Sequence, residues 1–154
     1  MGKSSLNPEQ LEVAELLAGK AAGDLVVARK LAPDPEVDDD HVGFNVQQAV
    51  EKALKVALTL DGVDFPKTHD LDYLIALANQ NSVEVDLGLH SVGWLTPWAA
   101  EFRYDDAPID TLNRSRAIET AELAVAWCQD LIAGAGGRSS SAEPSARQSP
   151  DPPR

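Results

Sequence analysis

Residues 44–71 read FNVQQAVEKALKVALTLDGVDFPKTHDL, and the fold turns on how far helical periodicity carries through them. Val46, Ala49, Val50, Ala53, Leu54, Ala57 and Leu58 recur at the i, i+3, i+4, i+7 spacing that lays an apolar stripe along one side of a helix. Gln47, Gln48, Glu51, Lys52 and Lys55 then fall off that stripe, where a paired amide and charge one turn apart could meet a ligand or simply face water. Gly62 supplies a left-handed stop. Phe65-Pro66 must be extended, because the proline ring excludes helical backbone in the residue before it. Thr68 or Asp70 can cap the next helix, beneath which Leu71, Leu74 and Leu77 follow three residues apart.

The same grammar extends in both directions. Asn7 can cap a first helix with Pro8 in its first turn and Gln10 closing a capping box, and Leu11, Ala14, Leu17, Ala21, Leu25 and Ala28 give that helix an inner face to about Leu31. Pro33 and Pro35 force an irregular link. Asp38, Asp39 and Asp40 follow, suited to the positive end of the second helix and, being consecutive, splayed too widely for a metal cage. Between Asn79 and Tyr104, Leu87, Leu89, Val92, Trp94 and Leu95 predict a fourth helix with a kink or break near Pro97. A fifth starts near Asp110, with one stripe through Ile118, Ala121, Val125, Cys128 and Ile132 and a second through Leu123, Trp127 and Leu131. No strand-like alternation is long enough for a sheet. The expected fold is therefore all-α, an antiparallel up-and-down bundle of about five helices over residues 7–133. It follows a disordered N-terminus, 1–6, and precedes a disordered Gly/Ser/Pro-rich tail, 134–154.

Composition narrows the function classes. With 154 residues, 44% hydrophobic, the chain fits one domain around one core. The single Cys128 excludes an internal disulfide framework and sits among apolar neighbours as a buried small hydrophobe, which suggests a reducing compartment. No apolar run approaches membrane-span length and the N-terminus lacks a secretion-signal core, so a cytoplasmic location is expected. Net charge is −12, and the three Arg of the tail against Glu143 and Asp151 leave the acidity in the helical body. General nucleic-acid binding, which needs a basic stripe, is disfavoured. A local basic pocket would have to draw on Lys52, Lys55, Lys67, Arg103, Arg114 and Arg116. Lys67, Thr68, His69 and Asp70 crowd a helix entrance, either as a perch for an anion or as a plain capping turn. Trp94, Trp98 and Trp127 read as core or interface residues rather than base-stacking platforms.

At these residues the chain resembles the HEPN family, the higher eukaryotes and prokaryotes nucleotide-binding domain. The likeness runs through Gln47, Gln48, Ala49, Glu51, Lys52, Ala53, Leu54 and Lys55, then Pro66, Lys67, Thr68, His69, Asp70 and Leu71, with a looser continuation at Arg103-Tyr104. It implies an all-α bundle that forms a homodimer, with the second stripe of the last helix as the spare face. It further implies an accessory protein that binds a nucleotide or a minimal nucleotidyltransferase partner, as part of a toxin–antitoxin pair. The contact residues it points to are Gln47, Glu51, Lys52, Lys67, His69 and Arg103, with no catalytic residue, metal or cofactor.

Two other readings stay open, a metal-independent RNase toxin and a non-catalytic structural dimerisation module. RNase members carry an Arg followed after four to six residues by a His. Here Pro108, Ile109 and Asp110 occupy that window after Arg103, and His41, His69 and His90 follow no arginine at that spacing. Arginine steadies charge but shuttles no proton near neutral pH, so a binding role is preferred to a catalytic one. The modified Tyr known in some paired systems follows the missing motif, so Tyr104 takes no such role.

Overall fold

The computed structural model describes residues 6–99 and 111–140. Four α-helices run α1 (Pro8–Leu31), α2 (Asp39–Leu60), α3 (Leu71–Gln80) and α4 (Arg114–Ser140), with short 3-10 turns at Leu87–Leu89 and Gly93–Trp98 before α4. The described residues hold no strand, and the all-α bundle stands. The expected fourth helix is replaced by the two 3-10 turns. The second contains Pro97, whose ring and missing N–H cannot continue an α-helical ladder. The last helix carries on through Gly134, Ala135 and Gly136 to Ser140, so the helical body passes the boundary set after residue 133. Ala135 is buried there, which shows packing outweighing glycine's low helix propensity. Residues 1–5 and 141–154 lie outside the described residues.

Helix ends follow the local chemistry. At α1, the Asn7 side chain accepts from the Glu9 N–H at 2.9 Å, and the Asn7 N–H donates to Gln10 Oε1 at 3.0 Å, a reciprocal box. At the end of α2, Gly62 stands at φ +70°, with Gly62 N donating to Thr59 O and Val63 N to Leu58 O. This paired closure needs a left-handed residue. The end of α3 repeats it with Ser82 at φ 57°, where Val83 N donates to Ala78 O. A side chain is strained in that conformation.

Helix α2 is the axis of the bundle. Val42, Val46, Ala49, Val50, Ala53, Leu54, Val56, Ala57 and Leu58 are all buried, and α1, α3, α4 and the Gly93–Trp98 turn all pack on it. The facing stripe of α1 is Ala14, Ala18, Ala21, Leu25 and Ala28, small enough to bring the two backbones close. Leu54, Leu58, Leu71, Leu74, Leu89 and Leu95 are fully enclosed, each worth about 1.5–3 kcal/mol against exposure. Trp98 lies directly on Gly43, where an added Cβ would come within 2.6 Å of the indole. On α4, Ala117, Ala121, Ala124, Val125 and Cys128 face the core. Cys128 is the buried hydrophobe expected: its thiol donates to Val125 O at 3.3 Å, and burial pushes its pKa up to about 11. The stripe expected to stay spare is only partly covered, Leu123 being 38% exposed. Leu123 packs over Gly88, while Trp127 and Leu131 are half-buried against the core.

The start of α4 is tied across the molecule by Arg114. Its Nε donates to Asp39 Oδ1 at 2.8 Å, and its other nitrogens donate to the carbonyls of Ala32 and Asp34, each at 3.0 Å, and of Val37. Asp39 Oδ2 also accepts from Leu112 N at 3.1 Å. The Arg114 hydrogen bond, opposed by partial burial, holds the Asp39 carboxyl below its ordinary 3.8. Because the folded-state pKa is depressed, this stabilisation is fully present above the unfolded value and disappears as pH falls through the folded one. Asp39→Asn should therefore lower the unfolding free energy across neutral pH by a constant amount. The gap from wild type should close below about pH 4, read from urea melts across a pH series. Gly43→Ala should cost about 1–3 kcal/mol in the same melts, through collision with Trp98.

Candidate functional site

The signature of α2 faces inward. Gln47, Glu51, Leu54 and Leu58 follow one another at i, i+4, i+7 and i+11, so the two polar residues share a row with two core leucines. Gln47 is 0% exposed and Glu51 3%. The extended segment forced by Phe65-Pro66 crosses this row and covers it. The Gln47 amide donates to His69 O at 3.1 Å and to Glu51 Oε1 at 3.2 Å, while its oxygen accepts from Gln48 Nε2 at 2.7 Å. Glu51 Oε1 also meets His69 Nδ1 at 2.7 Å, so Nδ1 carries the proton, a carboxylate being able only to accept. Lys55 Nζ closes the network on Glu51 Oε2 at 3.1 Å, and lies 5.5 Å from the Phe65 ring centroid. Every polar group of the pair is thereby satisfied, which burial demands.

The network corrects the placement of Gln47 and Glu51 on an outer face. Apolar spacing alone marked them as solvated, whereas the loop closing over α2 takes both out of water. Lys52 is also engaged, in an ion pair with Asp24 of α1. His69 joins the network and keeps about a third of its side chain exposed. Lys67 is exposed, without a hydrogen-bond or ion-pair partner among the described residues. Arg103 and Tyr104 lie outside the described residues.

At the entrance of α3, Asp70 Oδ1 accepts from Tyr73 N at 3.2 Å, and Thr96 Oγ1 accepts from Leu71 N at 3.2 Å. Thr68 Oγ1 takes the Asp70 N–H at 3.1 Å. These bonds engage the N–H groups of Asp70, Leu71 and Tyr73, for which an anion at this entrance would have to compete. Among the described residues, the cations that sequence could have gathered into a basic pocket are dispersed. Lys52, Lys55 and Arg114 are bound to carboxylates, and Arg116 lies over Trp94, 4.4 Å from its ring. An open groove of about 700 Å³ lies elsewhere, between the segment after α3 and α4, lined by Val83, Val85, Leu87, His90, Trp127 and Leu131. Among the described residues, none of the expected contact residues lines it. No group of three or more His, Cys, Asp or Glu among the described residues has metal-binding geometry. No described helix is long and apolar enough to cross a membrane.

The polar lock under PKTHDL is the structural content of the motif, and the family model for the HEPN domain matches residues 14–131. The chain belongs to the HEPN family. Membership places it among nucleotide-binding or RNase-like proteins. Comparison with curated proteins and with solved structures gave no match. In this HEPN chain the partners that sequence reading missed are Asp24 for Lys52 and Thr96 for the α3 entrance. Both come from distant segments, and neither leaves a periodic trace. The inward turn of Gln47 and Glu51 did leave one, their shared row with Leu54 and Leu58. Glu51→Ala strips partners from Gln47, His69 and Lys55 at once and should lower stability by about 2–4 kcal/mol. Lys67→Ala should change it by less than about 0.5 kcal/mol. Urea midpoints at unchanged slope would check both.

Proposed function

We propose that this HEPN protein is a non-catalytic accessory subunit that docks a minimal nucleotidyltransferase, as one half of a toxin–antitoxin pair. Support comes first from chemistry absent in the sequence, since no histidine follows an arginine at the spacing of the RNase members. The histidine beside the α2 signature has Nδ1 committed to a carboxylate 2.7 Å away. The observation that favours a protein partner over a free nucleotide is the α3 entrance, where Asp70 and Thr96 already occupy backbone donors. The chain's net charge of −12 further opposes a polyphosphate.

What the lock offers a partner is a fixed platform. Residues 65–70 are fastened to α2 through Gln47, Glu51 and Lys55, so exposed Lys67 and the partly exposed His69 are presented with little ordering cost on binding. In this reading Lys67 is the direct contact and His69 flanks it. Gln47, Glu51 and Lys52 act by holding the surface in place.

Co-expression with the nucleotidyltransferase encoded by a neighbouring gene should yield a complex that co-purifies. Lys67→Glu should weaken it by roughly tenfold or more while leaving the melt unchanged. Calorimetric titration of ATP should give a flat trace. Heat that disappears in Lys67→Ala would replace docking by nucleotide binding, and RNA cleavage lost in Arg103→Ala would replace it by catalysis.

A further inference from the structure

The open groove of about 700 Å³ runs between Val83, Val85 and Leu87 on one side and Trp127 and Leu131 of α4 on the other. Two features suit it to an extended chain. Leu87 is 88% exposed. Trp127 is half-buried, and its indole N–H has no hydrogen-bond partner among the described residues. An indole with a spare donor, set among aliphatic side chains, matches a polyproline II strand, whose rings lie on the aromatic face and whose carbonyls no internal bond occupies. The same groove is acidic. Glu84 is exposed and pairs with nothing among the described residues, Asp86 commits one oxygen to the Gly88 N–H at 2.8 Å, and no described Lys or Arg lines the groove.

The chain itself holds a segment of this chemistry. Residues 144–154 read PSARQSPDPPR, four prolines and two arginines against one aspartate. They follow α4, which ends at Ser140 and carries the Trp127 side of the groove. At about 1.5 Å per residue, Trp127 lies about 20 Å back along the helix axis from Ser140. A polyproline II strand advances about 3.1 Å per residue. A chain that reverses over residues 141–143 therefore draws level with Trp127 near Pro150, with Pro152, Pro153 and Arg154 left to pass Leu87 and Glu84. So short a tether gives an effective concentration of about millimolar, which lets a weak contact stay filled. The segment is too poor in apolar surface to build a core of its own, and a groove already formed asks for none.

We infer that this groove is a docking site for a proline-rich, arginine-bearing strand, and that residues 144–154 of the same chain fill it, with prolines on Trp127 and arginines toward Glu84 and Asp86. Lys67 does not line the groove. A failed partner titration leaves the docked strand standing, and an empty groove leaves the partner reading standing.

Paramagnetic broadening in the full chain tests it, with a nitroxide attached at Ser149→Cys and circular dichroism confirming helix content. Cys128 escapes the label, being buried with its pKa pushed up to about 11. The Trp127 indole N–H signal should lose far more intensity than those of Trp94 and Trp98, and reduction of the nitroxide should return it. The loss should persist on roughly tenfold dilution, because the contact lies within one chain. Leu87→Asp, at an exposed position, should abolish it, as should Pro150→Gly, Pro152→Gly and Pro153→Gly together, and Glu84→Lys should weaken it. An absent loss, an equal loss at all three indoles or indifference to any of these substitutions overturns the inference. A loss that fades on dilution overturns it too, since the strand would then come from another copy.

Discussion

Burial of the Glu51 carboxylate beneath the segment that joins α2 to α3 is the constraint around which the rest is arranged. A charge withdrawn this far from water is tolerable only when its oxygens are filled, and here Gln47, His69 and Lys55 fill them. Three of the four participants lie on one helix, and the fourth comes from the crossing segment. The network therefore works as a register pin. It sets where residues 65–70 lie on α2 and, through Asp70, where α3 begins. Apolar packing alone would let that segment slide, because leucine against alanine has little directional preference.

A second polar tie performs the same service at the opposite end of α2. Arg114 spans from the start of α4 to Asp39 and to three carbonyls of the link between α1 and α2. Together the two ties place all four helices relative to one axis, and the alanine faces of α1 and α4 supply the close contact. Lys52, Lys55 and Arg114 are paired with carboxylates around α2, while Lys20, Arg29, Lys30, Lys67 and Arg116 are exposed.

How much of this was legible in the sequence varies with the range of the interaction. The caps at Asn7, Gly62 and Asp70 were readable because each is settled within a few residues of backbone. The stripes of α2 and α3 were readable for the same reason. The stretch around Pro97 was harder, because its leucines satisfy helical spacing whether the backbone is α or 3-10, and the proline tips the balance. Gln47 and Glu51 were assigned to the outer face although they share a row with Leu54 and Leu58. Polarity was given more weight than position.

Local chemistry, then, dictated an all-helical chain, the places where helices start and stop, and family membership through residues 44–71. Each of these rests on contacts within one or two turns. Which polar side chains are buried, which cations remain available and which face of α1 stays uncovered depend on segments tens of residues apart meeting over α2. Desolvation belongs to the assembled neighbourhood and not to any residue, so only the folded arrangement could turn a solvated-looking motif into an internal lock.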